Sequence, residues 1–154
     1  MIRRAQKKDM QRINDLLYQV NMVHHIGRPD LFNIGKKYTD EELVGIINDD
    51  MTPILVWTDE NDVVQGYAFC QIKQFVDNNI MTDIKTCYID DLCVEENCRG
   101  LHIGSQLYDA VCEYAKNIGC YNVTLNVWAL NDSAKAFYEH CGLQVQKIGM
   151  EHIL

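Results

Sequence analysis

The sequence predicts an α/β (α+β) domain in which a mixed sheet carries helices on both faces. Two observations lead there: strand-like and amphipathic helical runs interleave along the whole chain, and they follow the order β-α-α-β-β-β-α-β-α-β. A third is that no internal repeat, low-complexity tract or Pro/Gly/Ser linker divides the 154 residues. One domain spanning 1-154 is therefore expected.

The first element, "MIRRAQ", reads as a short strand. Asp9 stands in an N-cap position before Met10, Ile13, Leu16, Leu17 and Val20, which repeat at helical spacing. The segment "HHIGRPDLFNIGKKY" (24–38) is broken by Gly, Pro and Gly and is expected to be an irregular connection. Thr39 followed three residues later by Glu42 is a capping box, which opens a second helix over 39–48. "TPILVWTD" and "VVQGYAFCQIKQF" read as the arms of a hairpin turned at "ENDV", and a further strand covers 85–94. A helix over 103–118 then ends at Gly119, in the C-cap place. "YNVTLNVWAL" is again strand-like, "NDSAKAFYEHC" reads as a helix closed by Gly142, and "LQVQKIGMEHIL" is expected to supply one or two last strands.

Composition narrows the function classes. The chain has 14 basic and 22 acidic residues, a formal charge of -8 that repels a phosphate backbone, so no nucleic-acid partner is expected. No apolar run approaches the ~18 residues of a membrane helix, and "MIRRAQKKD" lacks the apolar core of a secretory signal. A soluble, cytoplasmic protein without a membrane partner is the expectation. The seven cysteines include no Cys-x-x-Cys pair and no His at metal spacing. They are read as reduced, mostly buried side chains, with no metal.

The chemistry concentrates in "CYIDDLCVEENCRGLHIGSQLYDAV" (87–111). Here a strand passes through "EENCRGLHIG" into a helix. The free N–H groups of a first helical turn, together with the helix dipole, attract an anion. Gly100 and Gly104 permit close approach, and Arg99 adds a donor-rich positive charge. On spacing alone, a phosphate site and a bare helix start explain this turn equally well. Neither a Gly-x-x-x-x-Gly-Lys-Ser/Thr loop nor a Gly-x-Gly-x-x-Gly with a downstream acidic ribose ligand is present, which excludes the two familiar nucleotide motifs.

"VEENCRGLHIGSQL" resembles the acetyl-CoA signature of the GNAT superfamily of N-acetyltransferases, Arg/Gln-x-x-Gly-x-Gly/Ala after a strand ending in Val. "NVWALNDSAKAFYEHCGL" is similar to that family's second stretch, Asn-x-x-Ala-x-x-x-Tyr-x-x-x-Gly-Phe, and the element order matches from end to end. The resemblance implies a mostly antiparallel GNAT-like central sheet and acetyl-CoA as co-substrate. It implies that the backbone of Arg99, Gly100, Leu101, His102, Ile103 and Gly104, with Ser105, holds the diphosphate. It gives the pantetheine arm to Leu92, Cys93 and Val94, a cofactor contact to Asn131, and a place beside the sulfur to Tyr138. His102 stands where the family usually has its first motif glycine, which raises a question about the loop geometry. Leu143 replaces the motif's Phe, an apolar exchange expected to lie in the core.

Acetyl transfer to an amine needs a base. An alkylammonium of pKa ~10.4 is neutral in only about one molecule in 2500 at pH 7, a deficit of roughly 4.6 kcal/mol. "YIDDLCV" is similar to the acidic pair of diamine acetyltransferases, which implies Asp90 as base and Asp91 as acceptor binder. Strand alternation sends adjacent residues to opposite faces, so only one of the two is expected to face a given amine. Glu95 and Glu96 are expected to face solvent. With a phenol near 10 and a thiol near about 8.5, Tyr138 is read as a hydrogen-bond donor to the departing sulfur. A backbone N–H near Cys93 or Val94 would serve the thioester oxygen. Cys93 has no visible partner base, which disfavours a covalent route. His24, His25, Asp30, Phe32 and Tyr38, with the region 77–82, are expected to line the acceptor site.

The leading expectation is direct acetyl transfer to a cationic small-molecule amine such as a polyamine. Peptide N-terminal or lysine acetylation and aminoglycoside acetylation are the enzymatic alternatives, and a non-catalytic acyl-CoA-binding sensor is the alternative of another class. Exposed sheet edges and the tail strand are compatible with a homodimer.

Overall fold

The computed structural model describes residues 1–154. Five strands form one sheet in sequence order: β1 (Ile2–Arg4), β2 (Ile54–Thr58), β3 (Val64–Gln74), β4 (Lys85–Val94) and β5 (Asn122–Leu125). The first four pair antiparallel and β5 joins β4 in parallel, so the sheet is mixed and mostly antiparallel. The helices are α1 (Met10–Gly27), α2 (Asp40–Asn48), α3 (Ile103–Asn117) and α4 (Asp132–His140). No helix is long and apolar enough to cross a membrane.

Period-two alternation in β2 and β3 builds a core on each face of the sheet. Ile54, Val56, Tyr67 and Phe69 pack beneath Ile13, Leu16 and Leu17 of α1 and Leu43 and Ile47 of α2. Leu55, Ala68, Cys70 and Ile72 face the other way, against Ile103, Leu107, Val111 and Ala115 of α3. A Cβ on Gly66 would sit 2.9 Å from the Cys93 carbonyl oxygen of β4 and 3.2 Å from Leu107 of α3. Glycine at 66 is therefore a packing requirement.

Several local readings hold. Thr39 caps α2: its hydroxyl accepts from the Glu42 N–H at 3.1 Å while the Glu42 carboxylate accepts from the Thr39 N–H at 2.8 Å. Thr39→Ala removes half of this box and is expected to cost about 1 kcal/mol in chemical denaturation, with no loss of ligand binding. Gly119 and Gly142 end α3 and α4 with positive φ of 80° and 95°.

Others are corrected. Asp9 does not cap α1; it is buried, with its carboxylate held by Arg3 at 2.8 Å and by the Gln6 N–H at 2.8 Å. α1 continues through His24–Gly27, four residues into the expected connection, and stops at Arg28. Arg28 precedes Pro29, and the proline ring excludes helical backbone there. β5 ends at Leu125, so "NVWAL" is not strand. The tail 143–154 forms no strand, because no ladder partner reaches it within the chain. Leu143 is only partly buried and belongs to neither core.

Candidate active site

The site begins where the sheet opens. β4 and β5 pair from Thr86↔Asn122 to Ile89↔Leu125 and no further, while β4 stays paired to β3 as far as Gly66↔Val94. The β5-side edge of residues 90–94 therefore has no strand against it. An unpaired edge offers N–H and C=O groups to any extended ligand. Leu92 and Val94 turn their side chains toward the α3 core, and Cys93 turns its own toward α1. Their backbone is what a pantetheine arm would meet.

At one end of this edge lies the turn into α3. A cavity of about 250 Å³ is lined by Val94, Arg99, Gly100, Gly104, Ser105 and Phe137, among others. The first α-helical backbone bond of α3 runs from the Gln106 N–H to the His102 carbonyl, so the N–H groups of Ile103, Gly104 and Ser105 have no intrahelical acceptor. No side chain caps them. Arg99 forms no ion pair and is exposed beside them. A Cβ on Gly104 would lie 3.3 Å from the Phe137 ring and would narrow the cradle. These features fit a diphosphate: free donors, an unpaired cation and a glycine where approach is closest. Ile103 is buried, so only its backbone is available, and the Leu101 side chain points outward.

His102 answers the question raised by the motif. It adopts a left-handed conformation, φ 59° and ψ 19°, the geometry a glycine would take without strain. Histidine is among the residues that tolerate this region, at a cost of roughly 1 kcal/mol. The loop thus keeps its shape despite the Cβ.

The acidic pair departs from strand parity. Opposite β4, Phe69 pairs with Asp91 and Cys70 with Ile89, so Asp90 has no partner residue: it is the extra residue of a β-bulge. The cores record the phase change, since Cys87 and Ile89 face α3 while Cys93 faces α1. Asp90 and Asp91 accordingly both lie on the α1 face. The expectation that only one could face an amine is corrected by this inserted residue.

Their environments differ. Asp91 accepts a hydrogen bond from the Tyr67 hydroxyl at 2.7 Å, and burial holds its pKa above the usual carboxylate range against the opposing pull of Tyr67 and Lys37. Asp90 is more open and pairs with the Lys37 ammonium at 3.1 Å. Burial works against the Lys37 charge, but Asp91 and Asp90 together raise its pKa. Lys37 is thus a cation already lodged at the acidic pair. Sequence reading missed it because it sits in an irregular segment 53 residues from Asp90.

Tyr138 stands on α4 near Asp91. Burial, and then the Asp91 charge, push its phenol well above its ordinary value, so it stays protonated and its hydroxyl can donate. Phe137 stacks edge-on against it with centroids 5.0 Å apart and walls the cradle, a place that sequence reading did not assign to it. Asn131 caps α4, its Oδ1 accepting from the Ala134 N–H and the Ser133 hydroxyl at 3.1 Å, which leaves its amide nitrogen for a ligand. The Cys93 thiol is pushed up to about 12, chiefly by burial, and is a poor nucleophile. Glu95 does not face solvent. It is 9% exposed and ties the loop to α1 through Arg12 and through Gln19 at 3.3 Å.

Of the residues expected to line the acceptor site, His24 and Phe32 stack at 5.0 Å, and Phe32 meets Trp128 edge-on at 5.5 Å. His25 meets the Phe32 carbonyl at 2.6 Å, Asp30 is held by Arg28, and Tyr38 stacks on Phe69. The 77–82 segment is an exposed bend between β3 and β4. No three His, Cys, Asp or Glu side chains converge to hold a metal.

Residues 15–143 match the acetyltransferase (GNAT) family. A glucosamine 6-phosphate N-acetyltransferase of Arabidopsis thaliana is 33% identical over 66 residues, which cover 43% of this chain and 42% of that protein. The match thus spans less than half the length of that curated relative. A mutant of the BH1408 protein from Bacillus halodurans is 32% identical, covers 100% of this chain and 99% of its own, and superposes with a TM-score of 0.95. An aminoglycoside N-acetyltransferase solved in complex with CoA is similar in fold alone, at 16% identity and a TM-score of 0.73 over 100% of this chain and 98% of that one.

Proposed function

Because this chain belongs to the acetyltransferase (GNAT) family, we propose that it transfers an acetyl group from acetyl-CoA directly to a primary amine. The observation that carries this reading is the parting of β4 from β5 after Ile89, which opens a gap bordered by the α3 cradle, Tyr138 and Asp91. Acetyl-CoA supplies the acyl group as a thioester with a thiol as leaving group. The open edge of residues 90–94 would hold the pantetheine arm and offer an N–H to the thioester oxygen. Arg99, Gly100, Leu101, His102, Ile103, Gly104 and Ser105 would hold the diphosphate, with Asn131 contacting the cofactor from α4.

We assign the base to Asp91 and the acceptor contact to Asp90, the reverse of the roles implied by resemblance. A raised carboxylate recessed beside Tyr138 is the better proton acceptor, and the open Asp90 the better seat for a cation. Asp91 first takes a proton from the ammonium, freeing the nitrogen lone pair that forms the new N–C bond; as the C–S bond breaks, the nitrogen sheds its second proton to the departing thiolate, which accepts a hydrogen bond from the Tyr138 hydroxyl.

A cationic small molecule such as a polyamine remains the leading acceptor, supported by two carboxylates on one face and a net charge of -8. The aromatic surface of Trp128 and Phe32 favours a second reading, an amino sugar, in keeping with what the Arabidopsis relative's name says it acetylates. Release of free thiol from acetyl-CoA across a panel of polyamines, amino sugars, aminoglycosides and peptides decides between them. Saturable CoA binding with no turnover on any amine would leave a sensor module instead.

Lys37 supplies a further check. In Lys37→Met the two carboxylates lose their internal cation. The KM for polyamines is expected to fall about three- to tenfold, and the acid limb of kcat/KM to move to higher pH, because Lys37 holds the Asp91 pKa down. An unchanged pH profile would show that Lys37 does not act on the pair.

A further inference from the structure

The loop that joins the open edge of β4 to the cradle is pinned by one carboxylate. Residues 96–98 make a single 3₁₀ turn, in which the Cys98 N–H reaches the Glu95 carbonyl at 2.9 Å. The Glu95 side chain begins that turn as well, its Oε1 accepting from the Glu96 N–H at 2.9 Å. Its backbone N–H donates to the Gln65 carbonyl of β3 at 2.7 Å.

Two side chains of α1 close on the same carboxylate. Arg12 donates to Oε2, and the Gln19 amide reaches Oε1 at 3.3 Å and Oε2 at 3.4 Å. Positions 12 and 19 lie two helical turns apart and so share a face of α1. Arg12 is itself fixed to the sheet, its Nε donating to the Val64 carbonyl at 2.9 Å. Its guanidinium holds the Glu95 carboxyl below the usual carboxylate range, so the group stays ionised at neutral pH. An apolar side chain would cover α1 at a lower desolvation cost; what a shielded ion pair adds here is one fixed geometry. The span so fixed runs from Val94, where the open edge ends, to Arg99 and Gly100, and all three line the cradle.

We propose that Glu95 is a positioning residue for the cofactor diphosphate: clamped by Arg12 and Gln19, it sets the place of Arg99 and Gly100 without itself touching the ligand. This role rests on the reading of acetyl-CoA as co-substrate and makes that reading selective along the length of the cofactor. The pantetheine arm would lie on residues 90–94, before the clamp, and the diphosphate on residues 99–105, after it. Loss of the clamp therefore weakens a ligand that has the diphosphate and spares one that lacks it.

Glu95→Gln keeps the size of the side chain and removes its charge. By calorimetry the Kd for CoA is expected to rise about tenfold, the loss of one charge-assisted hydrogen bond, and the KM for acetyl-CoA to rise with it. The kcat at saturating acetyl-CoA should change by less than about twofold. S-acetylpantetheine has the same arm and thioester but no diphosphate, and its kcat/KM should be the same for variant and wild type. Arg12→Gln leaves Gln19 in place and should raise the Kd for CoA about threefold; it decides the matter if Glu95→Gln does not fold. A folded variant that binds CoA as tightly as the wild type would overturn the positioning role alone. So would an equal loss with acetyl-CoA and S-acetylpantetheine, the mark of a general disturbance of the fold. A wild-type chain that binds no CoA would instead overturn the cofactor reading, and the role of Glu95 with it.

Discussion

Asp91→Asn is expected to lower kcat by about 10²- to 10³-fold, the lower part of the range for loss of a positioned base. The substitution keeps the shape of the side chain and an oxygen for the Tyr67 hydroxyl, so the site should stay assembled. Its effect on stability has a definite sign. Burial raises the folded pKa of Asp91, so the favourable contribution of this group is present below its unfolded pKa and is lost as pH rises through the folded one. Burial penalises the charged form of Asp91, so the uncharged amide should melt at the same temperature or higher. The wild-type kcat/KM should fall at acid pH, through a value above the ordinary carboxylate range, as Asp91 takes up a proton. Asp91→Asn should lack that limb. Asp90→Asn, by contrast, should act mainly on the acceptor KM. Should Asp90→Asn abolish the acid limb while Asp91→Asn retains it, the two roles would have to be exchanged.

Tyr138→Phe is the second large effect, expected at about 10- to 100-fold in kcat with little change in the KM for acetyl-CoA. That range corresponds to roughly 1.4–2.7 kcal/mol, the worth of one hydrogen bond to a charged atom. It is smaller than the loss of a base because a thiol is already a good leaving group. The phenol is raised by burial and by Asp91, so its contribution should not titrate across the working pH range. A shift confined to KM would make Tyr138 a packing residue of α4.

Much of the fold was legible because its signals are local. The box at Thr39 and Glu42, the glycines at 119 and 142, and the alternation of β3 each depend on residues within a few positions. The turn into α3 was legible for the same reason, since Arg99, Gly100 and Gly104 lie within a few residues of one another. Failures came where a distant group claimed a local one. Asp9 has the residue type of a cap, but Arg3 takes its carboxylate. Glu95 lies in a polar loop, but Arg12 and Gln19 of α1 draw it inward. Phe137 carries no local signal for a site, and its place at the cradle shows only where α4 leans over Gly104.

The sequence alone determined the order of elements through α4, the glycine-punctuated turn that opens α3 and the identity of the two neighbouring carboxylates. Tertiary structure decided which way those carboxylates point. A bulge against β3 inserts Asp90 without a partner, and this shifts the side-chain phase of β4 by one residue, so both acids reach the α1 face where Lys37 waits. Strand parity is a property of the chain, but a bulge is a property of the pair of strands, and only their pairing shows where the extra residue falls.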